Sequence, residues 1–187
     1  MNKLIFFGLI YFIHCNLWSQ TNTKSDETAV KKSYKITVDK FLKDKSIPQL
    51  YKDLYNNKVK PPDDDENLSL IDSIYSRGPA KGFYFLVITK TMKYADGAYA
   101  EPLGIAAKEF VEKNTTEFLS YFMYNKDLLT HEDFKNWAGT VYGEIQIDSE
   151  GSEQNAVNDL KTRMIKNCTG LSEEYKTKIN EFIGLMK

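Results

Sequence analysis

Val30, Tyr34, Val38, Phe41 and Leu42 recur at spacings of three and four, the interval that lines side chains up on one helix face. The pattern predicts an amphipathic helix from Glu27 to about Asp44. Pro48 follows a cap candidate at Ser46, and Leu50, Tyr51, Leu54 and Tyr55 give a second helix one apolar stripe. Pro61 and Pro62 stop helical periodicity in KVKPPDDDEN, and the acidic run after them is too charged to bury, so this segment reads as a loop. Its acids lead into a helix from Glu66 to Ser76 that points Leu70, Ile71, Ile74 and Tyr75 inward and is stopped by Arg77, Gly78 and Pro79.

FYFLVI, Phe83 to Ile88, is apolar throughout and carries β-branched Val87 and Ile88, so period alone does not separate a buried strand from a helix. No second strand-like run follows to pair with it, and a lone strand leaves its backbone groups unsatisfied. A helix from Ala80 to Ala95 at the centre of the fold is the consistent expectation. KYADGAYAEPLG, Lys93 to Gly104, comes next. A hairpin turning at Asp96-Gly97 has no returning strand, and a helix capped by Asp96 would carry Pro102 in its ladder. The sequence therefore predicts a joint, with one helix ending near Ala95, Gly97 left-handed, and the next helix starting near Tyr99 with Pro102 in its first turn.

Further on, Leu103, Ala106, Ala107, Phe110 and Val111 mark one helix, and Asn114 caps another that reaches Tyr124. Thr130 with Asp133 makes a capping-box start for a helix whose stripe is Phe134, Trp137, Ala138, Val141, Tyr142 and Ile145. Ser152 opens the next, with Gly170 beyond its end, and Ser172 opens the last, which buries Tyr175, Ile179, Phe182, Ile183 and Met186. The expected fold is all-α: a single domain of eight or nine short helices stacked as antiparallel helical hairpins, without an internal repeat of fixed period. DGAYAEPLG and the capped THEDFKNWAG give the region Val30 to Met186 a texture that resembles small exported helical proteins of Gram-negative bacteria, some with HEAT-like stacking. The resemblance implies a helical fold and transfers neither an activity nor functional residues.

The first residues change the picture of where the chain works. Lys3, the apolar run Leu4 to Ile13 and the small and polar residues after it follow the order of a secretory signal peptide, and the run is shorter than the roughly twenty residues a bilayer span needs. The expectation is a signal peptide over residues 1–19 cut after Ser19, a flexible leader over 20–26, a helical domain over 27–187, and no membrane span once the signal is removed. The rival reading lipidates Cys15, but His14 stands where such signals place a small residue. Periplasmic or secreted localisation follows.

With 25 basic and 26 acidic residues, charges of both signs are interspersed, which gives no electrostatic footprint for nucleic acid. After signal removal Cys168 is the one cysteine, so no internal disulfide forms, and a buried thiol acting as a small hydrophobe is the expected state.

Candidate chemistry is sparse. His131 is the one histidine after the signal, HEDFK has Lys135 where HExxH needs its second histidine, and no GxSxG elbow occurs. DDDEN matches half a calcium loop but meets Leu68 and Ile74 where the motif needs glycine and glutamate, and GPAKG lacks the length and ending of a phosphate loop. No metal or cofactor is expected. FLSYFMY, Phe118 to Tyr124, reads as core, with a ligand groove as its rival.

These absences in an exported chain lead to the expectation of a non-enzymatic interaction module for a protein or peptide partner, immunity- or inhibitor-like in one form. Its docking element would be Asp63, Asp64, Asp65 and Glu66. The rival is a hydrolase using Asp96 and Glu101 as acid and base, since two carboxylates in different environments can divide those roles.

Overall fold

The computed structural model describes residues 28–29, 31–61, 65–95, 97–168 and 172–186, with only the backbone of 65–67 and 97–98. The expected signal peptide and leader, and with them Asp63, Asp64, Asp96 and Gly170, lie outside the described residues. The chain divides into an N-terminal unit ending at Lys35, helical at 31–34, and a second unit, Ile36–Lys187.

The second unit is all-α, with nine α-helices and no strand among the described residues: α1 Val38–Lys43, α2 Gln49–Tyr55, α3 Asp65–Asp72, α4 Lys81–Thr91, α5 Gly97–Lys113, α6 Thr115–Tyr124, α7 His131–Asp148, α8 Glu153–Asn167 and α9 Glu173–Gly184. Short 3-10 turns, Ser73–Tyr75 and Met92–Tyr94, extend α3 and α4. Helices pack on those two places further along, α2 on α4, α3 on α5, α5 on α7, α6 on α8 and α7 on α9, and α5 also meets α8.

FYFLVI is helical and lies at the centre of this unit. Phe83 and the run from Phe85 to Thr89 are buried in α4, and Phe85 stacks between Tyr121 of α6 and Trp137 of α7, with ring centroids 4.5 and 5.2 Å away. A helix apolar on nearly all sides fits where neighbours surround it. Its two buried threonines do not break the rule that buried polar groups are paired. Thr89 Oγ1 donates to the Phe85 carbonyl and accepts the Trp137 indole N–H at 2.8 Å, and Thr91 Oγ1 donates to the Ile88 carbonyl and meets the Tyr99 hydroxyl at 2.8 Å.

The structure departs from the sequence reading in three places. The helix expected over Glu27 to Asp44 is interrupted: Thr37 is extended at φ −108° and ψ 95°, and helix resumes at Val38. Ile36 is buried there, and its N–H donates to Asn125 Oδ1 at 2.8 Å across 89 residues. That bond gives the backbone N–H the partner the broken helix withholds.

The second departure is the joint at Lys93 to Gly104. α5 starts at Gly97, which is helical, and Pro102 is the sixth residue of the helix, the arrangement sequence reasoning rejects. Its missing N–H weakens the ladder there. Tertiary anchoring outweighs that loss: Tyr99 and Leu103, on either side of Pro102, are 3% and 1% exposed, and Tyr99 is tied to Thr91.

The third concerns caps. Asn114, Ser152 and Ser172 stand at the N-cap positions of α6, α8 and α9 without a side-chain cap bond, and Ser46 bonds Asp44 instead of capping α2, whose cap position is Pro48. Thr130 and Asp133 do form the predicted reciprocal capping box on α7. Asp133 also receives Lys90 Nζ at 2.7 Å, which joins the start of α7 to α4.

Candidate functional site

An open groove with a cavity volume of about 470 Å³ runs between α5 and α7. Its floor is made of small residues, Ala100 and Gly104 on α5 and Gly139 and Gly143 on α7. Met92 and Ala95 close one end, and Ile147, 72% exposed, stands at the rim. Glu101 and Glu144 supply its carboxylates.

Helical spacing brings these groups together. Glu101, Gly104 and Lys108 succeed one another at intervals of three and four on α5, and on α7 both Gly143 and Glu144 lie three or four residues from Thr140 and from Ile147. The two helices approach closely because position 104 has no side chain: a Cβ there would lie 3.0 Å from Glu144 Oε2 and 3.4 Å from its Cβ. Gly139 and Gly143 are different, since a Cβ at either would meet nothing within 4 Å. Each interior glycine costs a helix about 0.8–1.0 kcal/mol relative to alanine. Packing does not demand that cost at these two positions, and both residues line the open groove.

Glu144 is 7% exposed, and among the described residues its carboxylate has no hydrogen-bond or ion-pair partner. Burial pushes its pKa up, Asp148 and Glu101 push the same way, and Lys108 opposes them. Lys108 is itself engaged by Asp148 in an ion pair, so three carboxylates, Glu101, Glu144 and Asp148, share the one ammonium and the groove stays net negative. Glu101 is exposed and likewise has no partner among the described residues.

The other sequence candidates are placed as follows. Glu101 faces the groove, and its described acidic neighbour there is Glu144 rather than Asp96, which lies outside the described residues. Asp65 and Glu66 open α3, while Asp63 and Asp64 precede it outside the described residues. His131 starts α7 on the surface, with Nδ1 3.5 Å from Glu181 Oε1. FLSYFMY is buried from Phe118 to Met123, as core. Cys168 is buried against Thr116, 3.8 Å away, and burial raises its pKa, so it is a thiol acting as a small core residue. Among the described residues no group of three or more potential ligands could hold a metal ion, and no helix is long and apolar enough to cross a membrane.

Sequence reasoning missed Glu144. The signal was present: Trp137, Val141, Glu144 and Asp148 continue one stripe at spacings of four, three and four, so an acid falls where the pattern asks for an apolar residue. Compared with known proteins, the chain matches no family model, no curated protein and no solved structure.

Proposed function

We propose that the chain is an exported, non-enzymatic helical interaction module that binds a protein or peptide partner in the groove between α5 and α7. The observation that carries this reading is an open groove lined by glycines that packing does not require, with a buried carboxylate left without a partner among the described residues. An immunity- or inhibitor-like role is its specific form, with a cleaved signal peptide delivering the chain to the periplasm or outside. Asp63, Asp64, Asp65 and Glu66 stay in the proposal as a separate acidic docking element.

A photo-crosslinking residue at Ile147, in chain produced with its native signal, tests the groove. A stoichiometric adduct with one periplasmic protein, absent when the crosslinker replaces exposed Lys176, is the expected result. Equal yields from the two positions would move docking to another face. Charge reversal at Asp63 to Glu66 should weaken the same capture, and unchanged capture would remove that element from the interface.

A hydrolase is the second reading, favoured by one observation: burial raises the pKa of Glu144 in a groove that also holds Glu101, the separation of environments that acid–base pairs use. Replacing both by glutamine separates the two readings, because an enzyme would lose turnover with its fold intact.

A further inference from the structure

We infer that the α5–α7 groove takes a lysine-like alkylammonium side chain, its ammonium on Glu144 and Glu101 and its methylene stem along Gly139 and Gly143. The inference rests on the reading of the groove as the partner-binding site and specifies the chemistry of what enters it.

Four observations carry it. Glu144 is 7% exposed and unpartnered among the described residues, and a desolvated carboxylate facing a cavity is satisfied best by a cation that enters with it. The flanking cation that reaches Glu144, Lys108, is shared with its ion-pair partner Asp148, so the groove keeps a net negative charge. The space above Gly139 and Gly143 is open, and an aliphatic stem lies on such a surface while its charged head reaches the acids. Finally, Glu144 Oε2 rests against α5 at Gly104. A guanidinium fork engages both oxygens of a carboxylate side by side, whereas an ammonium is a point charge that one free oxygen can hold.

The test uses full-length mature chain labelled with nitrogen-15 and three capped tripeptides, acetyl-Ala-Xaa-Ala-amide, with lysine, norleucine or arginine in the centre. Amide resonances of Gly104, Gly139 and Gly143 report on the groove. The lysine peptide is expected to move them saturably, with norleucine and arginine each weaker by roughly tenfold, the loss that one charge-assisted hydrogen bond represents. Glu144→Gln should weaken the lysine peptide by a similar factor with the rest of the spectrum unchanged. Gly139→Ala gives an independent check, since it keeps every charge and fills the floor, and it should weaken lysine and norleucine alike.

Equal binding of norleucine would overturn the ammonium inference and leave the groove reading standing. Equal or tighter binding of arginine, or shifts produced by calcium chloride alone, would overturn it as well. If no peptide moves the three glycines the inference fails, and crosslinking at Ile147 then decides the groove reading separately.

Discussion

Glu144 shows how one residue can run against the fold that holds it. Its pKa is raised by burial, so the protonated carboxyl favours the folded state; that contribution is present below the ordinary glutamate value and lost as pH rises through the raised one. Glu144→Gln should therefore be more stable than the parent at neutral pH, seen as a higher Tm. The difference should shrink as pH falls toward the ordinary glutamate range, which thermal melts across that range would show. A difference independent of pH would mean that the charge is not the cause. Glu144 was visible in the sequence as a break in the stripe of α7, but its burial was not, because burial depends on Gly104 of a different helix.

At the scale of elements, local signals worked where they were self-contained. The Thr130–Asp133 capping box needs four consecutive residues, and it formed as expected. Pro102 was misplaced because its cost is local and its compensation is not: the ladder defect lies within α5, while the Tyr99 contact that offsets it reaches Thr91 at the end of α4. Pro102→Ala should restore the missing N–H and stabilise the domain by about 1–3 kcal/mol, the upper figure being the full interior penalty. Denaturant titration measures this directly, and no gain would indicate that Pro102 behaves as a first-turn residue after all. The break at Ile36 has the same origin, since a distant acceptor on Asn125 outbids the neighbouring helical carbonyls for its N–H.

For the molecule as a whole, the all-α class was legible because the helical period persists along most of the chain, and the central place of α4 followed from its being apolar on nearly all sides. The pairing of α5 with α7 was not legible, since it depends on how helices two places apart meet. With that pairing went the groove. Asn125 offers a test of how far the early segment depends on the rest. It is fully buried, and its side chain holds the Ile36 N–H and donates to the Tyr121 carbonyl at 2.9 Å. Asn125→Ala should cost about 1–3 kcal/mol in equilibrium unfolding, because the Ile36 N–H loses its acceptor while the Tyr121 carbonyl keeps the backbone N–H of residue 125. A cost under about 0.5 kcal/mol, the usual size for a surface change, would show that water takes its place.

Cys168 supplies a clock for such experiments. As the one cysteine of the Ile36–Lys187 unit, sealed beneath α6 at the end of α8, it is closed to an alkylating reagent until that corner opens. The rate at which it is labelled in native buffer then measures how often the C-terminal helices part, without any added probe.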